Sequence, residues 1–204
     1  MPPPAVPRKR PRQERSRDTY DAIVEAAAQL FQRDGYARAT TNRIAERAGV
    51  SIGTLYQYFP NKDALLYAIG EEHVHRVQAE LADLAEGLRR DQPPLPDCVH
   101  ALLRALADLH LADPRMHRLL YDQAPRPAET AAQLREVQGG IAAEVEFHLR
   151  RLGVGGPDPG LTAILVVQGV EGQLHGALLD PPAGRTVEEV LGAVETLCLK
   201  ALAS

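Results

Sequence analysis

The sequence holds 204 residues, 45% hydrophobic and 25% charged, with a formal net charge of −4. That composition suits one or two folded domains and excludes a wholly disordered chain. Two cysteines, Cys98 and Cys198, exclude a disulfide scaffold and leave too few thiolates for a cysteine-built zinc site.

Residues 1–16 are rich in Pro and Arg, lack periodicity, and read as a flexible basic arm. The arm's charges have no apolar centre behind them, so it does not resemble an export signal, and the expected compartment is the cytoplasm. Residues 1–62 carry eleven Lys and Arg against six Asp and Glu, whereas residues 63–204 carry twelve against twenty-one. A basic head on an acidic body points to a head that alone meets a polyanion.

From Asp18 the pattern turns helical. Ile23, Ala27, Leu30 and Phe31 form one apolar stripe, and Gly35 suits a C-terminal cap. Thr40 or Thr41 can cap a short helix that buries Ile44, Ala45 and Ala48 and ends at Gly49. Ser51 caps the next helix, Ile52 to Tyr58, and Pro60 breaks the chain. Asn61 opens a long helix from Lys62 to about Arg90. Its Leu65, Leu66 and Ile69 suit the head, and its Val77, Leu81, Leu84 and Leu88 suit the body.

After Pro93, Pro94 and Pro96, helices are expected at about 96–112, 114–122, 127–152, 158–179 and 186–203. Pro114 and Pro127 fit first-turn positions. Gly139-Gly140 is expected to bend or split the third of these helices. The most apolar one, Leu161 to Leu179, carries Gln168, Glu171, Gln173 and His175, so it is a core helix and not a membrane span. No alternating strand pattern is present. The expected class is all-α with about nine helices.

Residues 41–59, TNRIAERAGVSIGTLYQYF, spell helix, glycine turn, helix. Small Ala45 permits a close crossing, and Gly49 supplies the positive φ that the turn requires. Such a unit lays its second helix in the DNA major groove. The exposed side offers Thr54, Tyr56, Gln57 and Tyr58. Gln can pair with adenine, and Thr or a ring edge can touch a thymine methyl. Tyr hydroxyls and Lys62 can hold phosphates, and so can the amides at the helix starts near Thr41 and Ser51. Helical hairpins without a DNA role share this outline.

The longer segments IVEAAAQLFQRDGY at 23–36 and ATTNRIAERAGVSIGTLYQYFPNKDALL at 39–66 resemble the DNA-binding domain of tetracycline-repressor-like (TetR) transcription regulators. The resemblance implies a helix-turn-helix domain at 17–62 and a helical effector-binding and dimerisation domain at 63–204, joined by the long helix. It assigns DNA contacts to Thr41, Asn42, Ser51, Gly53, Thr54, Tyr56, Gln57, Tyr58 and Lys62, with Leu55 and Phe59 in the core, and the Tyr56/Tyr58 pair is open to either core or contact. Arg8-Lys9-Arg10-Pro11-Arg12 lies upstream of the motif and either enters a minor groove or stays untethered.

A single head spans a short half-site, so a homodimer reading a palindromic operator in double-stranded DNA is expected. The resemblance makes the last two helices the dimerising pair. Gly169, Gly172 and Gly176 admit a close helix, either a partner's or a neighbour of the same chain. Leu161, Ile164, Leu165 and Val166 are taken as the intrachain face, which leaves the glycines, with Val190, Val194 and Leu197, for the dimer interface. The effector is a small molecule, and the polar groups on apolar helices are its candidate contacts: His110, His117, Tyr121, Gln168, Glu171 and His175. Glu171 and His175, one turn apart, can bond each other.

A ligand-responsive repressor is the expected function, with a metal-responsive sensor using body histidines as the alternative. No H-E-x-x-H, G-x-S-x-G, P-loop or dinucleotide fingerprint occurs, and His73 and His75 diverge on their helix. Neither an enzyme, a cofactor nor a metal is expected.

Overall fold

Among the described residues of the computed structural model (6–8, 13–125 and 128–203, with backbone alone at 128–130), the regular structure is entirely helical. In chain order the elements are α1 (Glu14–Asp34), α2 (Thr41–Arg47), α3 (Ile52–Tyr58), α4 (Lys62–Asp91), α5 (Leu95–Leu111), α6 (Pro114–Gln123), α7 (Ala128–Leu152), α8 (Pro159–Gln173) and α9 (Val187–Leu202). A π-helical turn, Leu174–Leu178, continues α8. Pro127 lies outside the described residues.

The chain divides into two compact units, Met1–His75 with Arg115–Thr130, and Arg76–Pro114 with Ala131–Ser204. The first unit is built on the apolar stripe of α1. Ile23, Ala27, Leu30 and Phe31 are buried against Ile44 and Ala45 of α2, Leu55 of α3, Phe59, and Leu65, Leu66 and Ile69 of α4. Met116 of α6 is buried in the same core, with Leu119 and Leu120 packed against it.

α1 starts at Glu14, one turn before the expected Asp18. The extra turn carries no apolar residue that would betray it in a pattern. Its anchor is tertiary, a 2.9 Å hydrogen bond between the Ser16 and Tyr58 hydroxyls. Gly35 ends α1 at φ +81°. Asp34 then joins α1 to α2 through a 2.6 Å ion pair with Arg43.

The second unit buries Leu81 of α4, Val99, Leu103, Leu106 and Ala107 of α5, and Leu149 of α7. The same core takes Ala163 and Val170 of α8, Leu174 and Leu178 of the π turn, and Val190, Leu191 and Val194 of α9. α7 runs unbroken through Gly139-Gly140, so the expected split does not occur. A pair of glycines lowers helix propensity by about 2 kcal/mol, and burial of Ala142 and Leu149 on the same helix offsets it. The predicted 158–179 helix instead changes pitch at Leu174, where Leu179 N–H reaches back five residues to the Leu174 carbonyl at 3.3 Å. Among the described residues no helix is long and apolar enough to cross a membrane.

The carboxylate of Asp34 is held at about 2, below its ordinary 3.8, mainly by the Arg33 hydrogen bond and further by Arg43. A lowered folded-state value stabilises above pH 3.8, and the contribution disappears as pH falls through 2. Asp34→Asn is therefore expected to melt below the wild type at neutral pH. Thermal unfolding across the acid range should show the two curves converging by pH 2.

Candidate nucleic-acid interface

α2 and α3 are short helices fixed at both ends. The Thr40 hydroxyl caps α2, accepting from Arg43 N–H, so of the two threonines the first is the cap. Gly49 turns the chain at φ +69° with nothing near its missing Cβ, so backbone conformation and not crowding requires glycine there. Ser51 caps α3, accepting from Thr54 N–H at 3.0 Å and sharing a 2.8 Å bond with the Thr54 hydroxyl. Asn61 caps α4 by accepting from Ala64 N–H at 2.9 Å.

Burial sets the rotation of α3. Leu55, Tyr58 and Phe59 point into the core, with the Tyr20 ring 4.8 Å from that of Phe59. Ile52, Gly53, Tyr56 and Gln57 are left on the outward face, and Thr54 is half-buried. From α2, Asn42 is exposed, and the Thr41 and Tyr56 hydroxyls bond at 3.1 Å. These residues form one surface containing most of the predicted contacts.

Two predicted contacts are placed otherwise. Tyr58 is only 7% exposed, and its hydroxyl is bonded to Ser16, so it belongs to the core. It lies three residues after Leu55 and therefore on the inward stripe. Lys62 is half-buried, donates from Nζ to the Tyr36 carbonyl at 2.7 Å, and lies over the Tyr36 ring. Asp63 accepts a bond from the Tyr36 hydroxyl, which burial and this carboxylate push far above its ordinary titration range. Lys62 therefore ties α4 to the α1–α2 turn, and its ammonium keeps further donors for an anion.

Three features of this surface were not predicted. Ile52 is exposed on the outward face. Arg8 donates from its backbone N–H to the Tyr58 carbonyl at 2.7 Å and from Nη1 to the Tyr56 carbonyl at 3.3 Å. The arm is thus tied to the end of α3 at Arg8, whereas Lys9, Arg10, Pro11 and Arg12 lie outside the described residues. Arg43 and Arg47 are exposed on α2 and reach toward α1, where Asp34 and Gln29 hold them at 2.6 Å each. Spacing within α2 places both arginines outward, but it does not reveal their partners on α1.

In the second unit, three candidate effector residues meet. His110 is buried, its Nδ1 is 2.6 Å from the Leu106 carbonyl, and its ring stands edge-on to that of His175 at 4.8 Å. His175 Nδ1 pairs with the backbone carbonyl of Glu171, while the Glu171 carboxylate accepts from Gln138 of α7. The expected Glu171–His175 side-chain pair is therefore replaced by a contact that the linear sequence hides. Gln168 does not join this cluster: it is exposed on the outer side of α8. His117 and Tyr121 belong to the first unit, where the His117 ring meets His73 at 5.1 Å and Tyr121 is exposed.

α8 has two faces, and the expected intrachain assignment reverses for Leu161, Ile164 and Leu165 but holds for Val166, which packs against the core. Ala163, Val167 and Val170 face the core. Leu161, Ile164 and Leu165 are exposed, Leu165 at 59%, on the side that also bears Gln168, Gly169 and Gly172. On α9, Val190 and Val194 are buried within the chain, whereas Leu197 is exposed. Gly169, Gly172 and Gly176 are exposed, and beyond the adjoining residues and the helix's own backbone no atom lies within 4 Å of a Cβ built on any of them.

Cys98 lies 3.8 Å from His148 Nδ1, and Glu144 stands 3.2 Å from the other ring nitrogen. Burial pushes the thiol up against the pull of Arg151, and pushes the imidazole down against the pull of Glu144, so burial favours the neutral form of each. The group therefore packs as a buried polar cluster and lacks an activated thiolate.

Known proteins share both parts of this arrangement. The family profile described as "Bacterial regulatory proteins, tetR family" matches residues 23–69, and "Tetracyclin repressor-like, C-terminal domain" matches residues 94–201, over half the chain. The A-factor receptor protein of Streptomyces griseus is 41% identical over 69 residues, 34% of this chain and 25% of that protein. The HTH-type transcriptional regulator TtgR of Pseudomonas putida is 33% identical over 106 residues, 52% of this chain and 49% of that protein. The chain thus spans half or less of the length of these curated relatives. The solved structure of SmeT, the repressor of the Stenotrophomonas maltophilia multidrug efflux pump SmeDEF, has a TM-score of 0.60 at 26% identity, covering 92% of this chain and 93% of that one.

Placing Tyr58 in the core has a measurable consequence. Tyr58→Phe deletes the hydroxyl bonded to Ser16 and is expected to cost about 1 kcal/mol in chemical denaturation. Ser16→Ala should cost about as much, and the double variant little more.

Proposed function

We propose that this chain, which belongs to the tetR family of bacterial regulatory proteins, is a homodimeric, ligand-responsive repressor that binds a palindromic operator in double-stranded DNA. The observation that carries the reading is the outward face of α3. Gly53, Tyr56 and Gln57 share it, with Thr41 and Asn42 alongside, on a head whose charge balance is positive. Gln57 offers a bidentate amide to adenine, and Tyr56 and Lys62 offer donors to phosphates. The functional head is residues 17–62, and residues 63–204 bind the effector and the second copy.

The apolar outer face of α8 supports pairing. Leu161, Ile164 and Leu165, with Leu197 of α9, expose aliphatic surface beside glycines that leave room for another helix. An exposed aliphatic stripe of this kind favours burial in an interface. His110, Glu171 and His175, with Gln138, are the groups proposed to meet a small polar effector. The effector acts by preferring one state of the dimer, so its binding and DNA binding oppose each other. The relative named as a receptor and the solved repressor support this class. The proposed compartment is the cytoplasm.

Selection from a random duplex pool tests symmetry and binding together. It is expected to return an inverted repeat, and strictly monomeric protein that retains no duplex would overturn the proposal. Gly53 supplies a second test. A Cβ there would meet only the Ser51 hydroxyl at 3.7 Å, so the free protein accommodates alanine, a better helix former. Gly53→Ala is expected to leave the unfolding midpoint unchanged or raised while weakening operator binding about tenfold, because the added methyl stands where the duplex approaches.

A further inference from the structure

Ile52 is explained neither by the core nor by the polar contacts. It is 38% exposed, while the first unit's other described Ile and Leu residues are buried or packed against its core. Capping does not require it, since Ser51 supplies that bond. Helix propensity does not favour it either, because a β-branched residue loses side-chain freedom in a helix. Ile52 shares the outward stripe with Tyr56, 41% exposed and held by the Thr41 hydroxyl, and adjoins Gly53, which has no side chain to screen it. The stripe is thus an aliphatic group beside an aromatic edge.

The major-groove edges of the base pairs are donors and acceptors, with one apolar exception, the C5-methyl of thymine. An aliphatic side chain pressed on any other edge strips water from polar groups and returns no hydrogen bond. We infer that Ile52 reads a thymine methyl in each operator half-site, making it a specificity-determining residue of this surface. The inference rests on the proposal that α3 enters the major groove. It gives Ile52 a task distinct from that of Gln57, whose amide pairs with a base through hydrogen bonds.

The test uses the full chain and the duplex recovered by selection. Each thymine is exchanged in turn for deoxyuridine, which removes the methyl and keeps the pairing. One position per half-site is expected to weaken wild-type binding three- to tenfold. The same exchange should leave Ile52→Ala unaffected, with Ile52→Val intermediate, while both variants unfold at the wild-type midpoint. The inference is overturned by a half-site without thymine, by wild-type indifference to every exchange, or by an equal loss in Ile52→Ala. Those results leave the regulator reading standing, whereas failure to hold any duplex removes both.

Discussion

Everything the head presents outward depends on the burial of Leu55 and Phe59. A seven-residue helix has too few internal hydrogen bonds to persist alone. α3 exists because those two side chains, with Tyr58, are held in the core and because a serine closes its first turn. The same burial fixes the helix's rotation. A side chain on the inward stripe cannot be turned outward without exposing aliphatic and aromatic surface, at about 25 cal/mol per Å². The outward residues are therefore presented in one fixed phase before any partner arrives.

The same logic runs through the second unit. α8 is apolar almost all round, so its composition does not distinguish its faces. Packing does: the small and β-branched residues Ala163, Val167 and Val170 meet the core, and the larger Leu161, Ile164 and Leu165 are left outside. Val190 and Val194 illustrate the converse. Their stripe on α9 is consumed within the chain, and Leu197, at the edge of that stripe, remains exposed.

How legible each feature was in the sequence follows from the range of the interaction behind it. Glycines at positive φ, the serine and asparagine caps and the i, i+4 stripe of α1 are local, and Gly35, Gly49, Ser51, Asn61 and Leu30 sit as their spacing indicates. Family resemblance supplied the roles, which spacing alone left open. Partners distant in the chain were not legible. The bond from Ser16 to Tyr58 spans 42 residues, and the one from Gln138 to Glu171 spans 33. Neither leaves a periodic trace, so the start of α1, the hydroxyl partner of Tyr58 and the company of Glu171 had to be seen in three dimensions. The direction of the uniformly apolar α8 failed for a related reason, since a moment needs contrast.

Arg8 gives the segment ahead of α1 a mechanical meaning. Its main-chain amide and its guanidinium occupy carbonyls at the end of α3 that would otherwise turn to solvent. Trimming by a peptidase, or an affinity tag spliced in close upstream, would fray that terminus from behind while every outward side chain of α3 stayed intact. The segment at Arg8 thus splints the end of α3, half of it through the main chain and so without regard to charge.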